Sequence, residues 1–280
     1  MTPSSAGESR RLLRWPSDRR TYLTLDLECD YGTALQSNRY GALERVDEFR
    51  SLVEHYDVPL TVFVQTEVLD ARPEAVESLR DVNVPVEFHP HSHTHTPRSD
   101  VDVSGEVNRS TDRFYEFFGV KPTGYRFPDG DVLPEDYAVL AENGYEFDAS
   151  LFPSWRPGRF NHLGEPTVPH RRVNHDIYEI PFTTFSDVLP LPTSLSYCRF
   201  IGRPSLALLS GRSEQPTVFN VHMHDLFNPE SYRRLPLPYR AIYARNADGF
   251  SVFERALDAL AGSGRSAGRF EDLMEYLRHS

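Results

Sequence analysis

The sequence predicts an α/β fold in which parallel strands, joined by helices, form a closed or nearly closed barrel. Short apolar runs typical of buried strands alternate along the chain with segments whose apolar residues recur at helical spacing. Such strand-then-helix units imply parallel strands connected by right-handed crossovers. About seven strands are predicted, which fits a barrel better than an open sheet.

The individual elements follow from apolar spacing and from helix start and stop signals. The first strand is the apolar run Tyr22–Leu27, and a helix over Gly41–Tyr56 follows it. Pro73 can start a helix in its first turn, and Gly119 can end one. Further strands are expected at Pro59–Val64, Val84–Phe88, Gly124–Phe127, Tyr145–Asp148, Ile177–Pro181 and Val218–His222, and further helices at Pro73–Leu79, Val103–Phe118, Pro134–Asn143, Pro204–Ser210, Phe250–Ala261 and Phe270–Arg278.

The composition predicts a soluble, acidic protein with one barrel domain over residues 21–280. No run of ~18 apolar residues is present, which excludes a membrane-spanning helix. The net charge of −11 argues against nucleic acid as the main partner. Lys121 is the only lysine beside 29 arginines, an acidic, lysine-poor composition that resembles proteins of halophiles. The sequence carries no signal of oligomeric state.

The first 20 residues are expected to form a flexible tail. Arg10 and Arg11 match the paired arginines of an export signal, but no apolar stretch follows them. We therefore expect a cytoplasmic protein.

Polar residues follow several predicted strands directly, where the chemistry of a β/α barrel is located. Asp26, Glu28 and Asp30 lie at the end of the first strand. Four of the eleven histidines follow the third strand, in the run His89-Pro90-His91-Ser92-His93-Thr94-His95. Later strands are followed by Arg126 and Asp129, Asp148, and His222, His224 and Asp225. Imidazole is the commonest metal ligand in proteins, so a metal site is predicted.

This succession of motifs resembles the polysaccharide deacetylases, the NodB-homology carbohydrate esterases of family 4. The resemblance covers about residues 21–260 and implies a distorted (β/α)7 barrel with a divalent metal, usually zinc, held by two histidines and one carboxylate. The family's second motif matches when His91 and His95 are the ligands and Ser92 is its small hydroxyl residue. His89 and His93 have the same spacing without that hydroxyl, and rank second.

The first motif departs from the family's usual pair of adjacent aspartates. Asp26 matches the general base, but Leu27 occupies the place of the usual metal ligand. Residues i and i+2 of a strand point the same way, so Glu28 can reach the metal beside Asp26. Asp30 is kept as the alternate ligand.

The remaining motifs imply further roles. Arg126 matches the Arg-x-Pro arginine that orients the base and keeps its pKa low, and His222 matches the general acid. Asp148 or Asp225 would keep His222 charged. Phe152 or Trp155 is expected to wall the sugar site in place of the family's tryptophan, and Tyr31 to contact the substrate, with a backbone N–H near it holding the oxyanion.

The resemblance implies a hydrolase that removes an acetyl group from an N-acetylated or O-acetylated sugar of a glycan or glycan precursor. Two alternatives stay open. One is an amidohydrolase-type metal enzyme acting on a small non-glycan C–N bond, because His89 and His91 form a His-x-His pair, although they follow the third strand rather than the first. The other is an inactive glycan-binding barrel, which would require loss of the base or the acid; Asp26 and His222 are both present.

Overall fold

The computed structural model describes residues 9–35, 37–156, 160–186, 190–211, 216–245, 247–262 and 264–280. It confirms the predicted α/β fold. Its strands are β1 Arg10–Leu12, β2 Arg20–Leu27, β3 Leu60–Val64, β4 Val86–Pro90, β5 Gly124–Tyr125, β6 Phe147–Asp148, β7 Trp155–Arg156, β8 Phe160–Asn161, β9 His170–Arg172, β10 Ile177–Glu179, β11 Thr217–His222 and β12 Ser266–Ala267. Its helices are α1 Val46–His55, α2 Val68–Ala71, α3 Pro73–Arg80, α4 Val103–Phe118, α5 Asp136–Glu142, α6 Leu195–Ile201, α7 Arg203–Gly211, α8 Met223–Leu226, α9 Leu237–Ala244, α10 Gly249–Ala261 and α11 Phe270–Arg278.

Seven parallel strands of the described chain form the wall of the barrel. One sheet has the order β11-β2-β3-β4, and the other contains β10-β6-β5. The sheets meet where the Arg126 N–H donates to the Pro90 carbonyl oxygen at 3.2 Å. On the opposite side, Thr183, which follows β10, accepts the backbone N–H of Val218 on β11 at 3.0 Å. The barrel is therefore closed in part by side-chain and loop hydrogen bonds, which agrees with a distorted (β/α)7 barrel.

Successive residues of each strand point alternately into the barrel and towards the surrounding helices. On β2, Leu23, Leu25 and Leu27 pack outwards in the large apolar cluster that the helices cover. Tyr22 lies in the separate cluster inside the barrel, and Asp26 shares its face of the strand. Because of this alternation, polar residues of β2 lie on its inner face as far as the carboxyl end of the strand.

The lower end of the barrel is closed by α11. Phe270 packs edge-on against Tyr22, Phe63 and Phe147, with ring centroids 5.9–6.0 Å apart. The backbone N–H of Phe270 also donates to the Thr61 hydroxyl at 3.1 Å. This end of the barrel is therefore filled with aromatic rings.

The expectation of a flexible tail through residue 20 is wrong for the residues that follow the undescribed positions 1–8. Arg10–Leu12 forms β1, which pairs antiparallel with β9. Leu13 is buried in the cluster inside the barrel, and the Trp15 indole N–H donates to the Thr167 carbonyl at 3.2 Å. The sequence did not reveal this strand, because arginines are not typical of a buried strand. In the structure, Arg10 forms an ion pair with Glu165 at 2.6 Å, which compensates its charge.

The structure also contains elements that the sequence did not predict. Helices α6 and α9 lie in segments without a clear apolar period, and no residue of α9 is buried. In the described part of the chain, no helix combines the length and the apolarity that crossing a membrane requires.

Candidate active site

A cavity of about 440 Å³ opens at the carboxyl end of the barrel strands. Its lining includes Asp26, Glu28, His91, His95, Arg126, Asn220 and His222. Asp26, Asn220 and His222 lie on β2 and β11, Glu28 and Arg126 directly follow β2 and β5, and His91 and His95 lie in the loop after β4. These elements are far apart in the sequence. Parallel strands bring them together because their carboxyl ends meet at one face of a barrel.

Glu28, His91 and His95 form a compact group whose ligand atoms lie within 4.8 Å of one another. The Glu28 Oε2 atom lies 3.0 Å from His91 Nε2 and 2.6 Å from His95 Nε2. All three residues are buried. Two imidazole nitrogens and one carboxylate oxygen are a typical donor set for a divalent transition metal.

The hydrogen bonding of His91 tests whether this group fits a cation. Its Nδ1 atom donates to the Arg126 carbonyl oxygen at 2.8 Å, and its Nε2 atom lies 3.0 Å from the Glu28 carboxylate. Nε2 is therefore the ring nitrogen that can face a cation beside Glu28. A hydrogen bond from the other ring nitrogen to a carbonyl is also the usual way in which a metal-binding histidine is oriented.

The electrostatics of the group agree with a cation site. Although burial opposes the shift, Glu28 raises the pKa of His95 to about 9. The two imidazoles in turn hold the pKa of Glu28 well below its usual range, again against burial. The pocket thus supports a buried carboxylate only when a positive charge faces it, whether an imidazolium or a metal ion.

Because Gly32 has no side chain, the His95 ring can occupy the space next to it. A Cβ atom at this position would lie 2.8 Å from His95 Cε1 and 3.4 Å from Glu28 Oε1. Gly32 also has a φ of +51°, a backbone conformation that residues with a side chain rarely adopt. The turn after β2 is therefore shaped around the histidine.

The competing ligand candidates lie elsewhere. His89 accepts the Gly124 N–H at Nδ1 and packs inside the barrel against Phe63, while His93 is 2.9 Å from the Thr66 hydroxyl. Asp30, the alternate ligand, accepts hydrogen bonds from the backbone N–H groups of residues 41 and 42 and from the Ser231 hydroxyl. Asp30 is thus outside the ligand group, because it holds the start of a 3₁₀ turn.

Asp26 is a buried carboxylate with three polar neighbours. Arg126 Nη1 donates to its Oδ1 at 2.6 Å, Asn220 Nδ2 donates to its Oδ2 at 2.9 Å, and His222 Nε2 lies 3.4 Å from Oδ2. Burial disfavours the charged carboxylate, but Arg126 and the two histidines nearby hold the pKa of Asp26 below its usual range. Asp26 is therefore ionised at neutral pH.

Arg126 is itself fully buried and rigidly held. Its guanidinium lies between the rings of Phe63 and Phe182, 3.9 and 4.5 Å from their centroids. Its Nε donates to the Ala149 carbonyl at 2.9 Å. The side chain is thus fixed in the orientation in which it pairs with Asp26.

His222 is oriented by a buried carboxylate. Its Nδ1 atom lies 2.8 Å from Asp225 Oδ2, which also accepts the Ser196 hydroxyl at 2.7 Å. Burial opposes the charged imidazole, but Asp225 raises the pKa of His222 well above its ordinary value. The His222 side chain is 23% exposed whereas Asp225 is 0% exposed, so only the histidine reaches the cavity.

A second group that could hold a metal consists of His222, His224 and Asp225. However, His224 Nδ1 accepts the Tyr31 N–H at 3.1 Å, and Asp225 Oδ2 is committed to His222 and Ser196. Burial lowers the pKa of His224 to about 4. His224 Nδ1, His222 Nδ1 and Asp225 Oδ2 are therefore already engaged in hydrogen bonds within the protein.

Asp148 does not contact His222, so of the two expected partners only Asp225 pairs with the histidine. Asp148 accepts the Ser150 hydroxyl at 2.6 Å and lies opposite Glu179 on the neighbouring strand. Burial raises the pKa of Asp148 to about 6 and that of Glu179 well above its ordinary value. The two carboxyl groups form a separate buried pair under the cavity wall.

The three expected substrate contacts have different positions. Phe152 lines the cavity and stacks on Phe182, with centroids 4.0 Å apart. Tyr31 also lines it, and its own backbone N–H donates to His224 Nδ1 at 3.1 Å, so an oxyanion donor near Tyr31 would be the N–H of another residue. Trp155 is 60% exposed in the β7–β8 hairpin and is not among the cavity-lining residues.

Sequence reasoning missed two parts of the site. Asn220, which holds Asp26, lies two residues before His222 on β11 and hence on the same face, and strand alternation could have found it. The outer cavity wall comes from α6 and α9, with Tyr197, Phe200, Tyr239, Ile242 and Tyr243. No motif marked these residues, because they act through position rather than through a local pattern.

Comparisons with known proteins agree with this geometry. The family model described as polysaccharide deacetylase matches residues 7–147, half of the chain. No curated protein sequence matches.

Solved structures of similar fold include a Mycobacterium smegmatis protein described as a polysaccharide deacetylase, with 16% identity, a TM-score of 0.61 and coverage of 96% of this chain and 94% of that one. A family 4 carbohydrate esterase from Streptomyces lividans, in complex with acetate, has 14% identity, a TM-score of 0.52 and coverage of 90% and 93%. A pseudoenzyme of the same esterase family from Bacillus anthracis has 12% identity, a TM-score of 0.54 and coverage of 92% and 66%. At these identities the likeness concerns the fold.

The family match and the fold together identify the chain as a member of the polysaccharide deacetylase family, a hydrolase of carbon–nitrogen bonds other than peptide bonds.

Proposed function

We propose that this protein is a metal-dependent deacetylase of an N-acetylated sugar, with zinc as its ion and a glycan or glycan precursor as its substrate. The observation that carries the proposal is the convergence of a metal-type donor group, an ionised carboxylate and a charged histidine on one cavity. The cytoplasm stays the proposed location.

The metal would be held by Glu28, His91 and His95, whose donor atoms fit a divalent ion as described above. When bound, such an ion supplies Lewis-acid chemistry, since it polarises an acyl carbonyl and lowers the pKa of water. Because the three ligand residues line the cavity, an ion held by them would be within reach of a substrate bound there, and a catalytic zinc site keeps one position open.

Asp26 is proposed as the general base. Its carboxylate is ionised and lines the cavity, so it can accept a proton from the water that attacks the acyl carbon. Arg126 and Asn220 fix its two oxygens through separate hydrogen bonds. Arg126 keeps the base charged, and Asn220 keeps it aimed at the cavity.

His222 is proposed as the general acid. Asp225 holds its Nδ1 atom, so the Nε2 proton faces the cavity and can pass to the leaving nitrogen. An amide nitrogen cannot leave as an unprotonated anion, whereas an alkoxide is a better leaving group. The charged His222 therefore favours N-deacetylation over O-deacetylation.

Release of acetate tests the proposed function. We expect acetate from oligomers of N-acetylglucosamine or from a nucleotide-linked N-acetylated sugar, loss of that activity with a chelator, and its return with Zn²⁺. Acetate release that a chelator leaves unchanged would contradict metal dependence. Hydrolysis of small cyclic amides without acetate release would instead support the amidohydrolase alternative, and no hydrolysis with bound metal would support a glycan-binding barrel.

Replacement of a proposed ligand should remove the metal. For His95→Ala, we expect the metal affinity to fall at least about 100-fold, since loss of a group that merely orients a ligand already costs roughly 10–100-fold. His93→Ala is the matched control, because His93 is in the same run but points at Thr66. Metal content after dialysis measures both, and equal losses in the two variants would contradict the ligand assignment.

The variant Asp26→Asn keeps the shape of the base but cannot accept the proton. We expect kcat to fall by ~10²–10⁴-fold, the usual contribution of a general base. Metal content should stay at the wild-type level, because Asp26 is not in the ligand group. Wild-type turnover in the metal-loaded variant would show that Asp26 is not the base.

We expect the proposed general acid, His222, to limit activity at high pH. His222 must be protonated to act, so activity falls as pH rises through its raised pKa. In Asp225→Asn the main charge that raises this pKa is lost, and we expect the alkaline limb of kcat/KM to move to lower pH, with kcat at neutral pH reduced on the order of tenfold. A pH–rate profile with an unmoved alkaline limb would contradict the role of Asp225.

A further inference from the structure

Exposed and half-buried basic and apolar residues lie on and around α9, whose Ile242 lines the cavity together with Phe200 on α6. We call this surface the arginine rim; it consists of Phe200, Arg233, Arg234, Leu237, Arg240, Ile242 and Arg245. Between Glu230 and Asp248 the sequence contains four arginines and no acidic residue, in a chain with a net charge of −11. The rim is thus a local reversal of the protein's overall charge.

Within the described residues, none of the four arginines of the rim forms an ion pair with a carboxylate. Arg240 and Arg245 instead lie over the rings of Tyr232 and Phe200. Several arginines on other surfaces are paired, as in Arg50 with Glu54, Arg80 with Glu77, Arg98 with Asp136 and Arg113 with Asp70. The rim therefore presents positive charge that no carboxylate of the described residues compensates.

Apolar side chains are exposed in the same place. Leu237 is 76% exposed, Phe200 41% and Ile242 40%. Single exposed apolar residues are common, but here they lie between unpaired arginines, and Phe200 and Ile242 also line the cavity. A partner that covers the rim would consequently sit at the mouth of the active site.

Helix α9 is linked to the barrel by hydrogen bonds of a buried arginine. Arg199, buried on α6, donates to the Tyr243 carbonyl oxygen at 2.9 Å and to the Asp225 carbonyl oxygen at 2.9 Å. The inner side of α9 is thus anchored to the element that follows His222, while its outer side has no covering partner in the described chain.

We propose that the arginine rim is a docking surface for a bilayer that contains anionic lipids. Arginines bind the anionic headgroups, and the aliphatic side chains of Leu237 and Ile242 enter the boundary between headgroups and acyl chains. An anionic polysaccharide would also attract arginines, but it offers no apolar phase for exposed Leu237 and Ile242. Docking in this way directs the cavity mouth at the membrane surface, and it does not depend on the proposed deacetylation.

Vesicle sedimentation tests the proposal with the full-length protein. We expect binding to sucrose-loaded vesicles of phosphatidylcholine and phosphatidylglycerol in equal parts, little binding to phosphatidylcholine alone, and weaker binding at high salt. Arg233→Ala combined with Arg234→Ala should weaken binding roughly thirtyfold. Leu237→Ser should weaken it as well, with an unchanged melting temperature because Leu237 is exposed.

The matched control is Arg109→Ala combined with Arg255→Ala, which removes two exposed arginines from α4 and α10. This control should bind vesicles as the wild type does. Absence of wild-type binding to the anionic vesicles would overturn the proposal, as would equal weakening in the control. Release from the vesicles by soluble polygalacturonate, with rim-dependent binding of that polymer, would show that the rim binds an acidic glycan instead.

Discussion

The structure depends on the burial of two carboxylates, Asp26 on β2 and Glu28 directly after it. Both line the cavity, because the alternation of the strand continues one residue beyond its end. A buried carboxylate is costly unless positive charge and hydrogen bonds compensate it. The surrounding strands supply that compensation, with Arg126 for Asp26 and the histidines after β4 for Glu28. The same requirement explains why Glu28 fits a bound cation.

The compensation also separates the roles of the groups. Arg126 is permanently charged and is held between two aromatic rings, so it fixes Asp26 in the ionised form. His222 faces a carboxylate of its own, Asp225, and so carries its proton at the edge of the cavity. The charged Asp26 and the charged His222, proposed as base and acid, can therefore lie 3.4 Å apart on one cavity wall, each stabilised by its own partner.

Much of this arrangement could be predicted from the sequence. The alternation of strands and helices predicted the barrel. The i, i+2 relation of a strand predicted that Glu28 lies beside Asp26. Helix α4 was predicted with its observed bounds, because Gly119 ends it in a left-handed conformation. The role of Asn220 was missed although its strand position was available, since an asparagine in an apolar strand matched none of the motifs considered.

Other features could not be predicted, because they arise from tertiary packing. Leu13 and β1 depend on pairing with β9, more than 150 residues away, and charged residues conceal the strand. The wall formed by α6 and α9 has no strong apolar period, as α9 lies over the cavity without burying a residue. The wall and the arginine rim lie outside the chemical centre, so they can govern which substrate reaches it without altering the base, the acid or the ligand group.

Glu28, His91 and His95 are proposed to hold one divalent ion. Anomalous diffraction at the zinc absorption edge, from crystals of the zinc-loaded protein, tests this most directly. We expect one strong peak about 2.0–2.2 Å from the Nε2 atoms of His91 and His95 and from a Glu28 oxygen. A peak among His222, His224 and Asp225 instead, or no peak at either group, would contradict it.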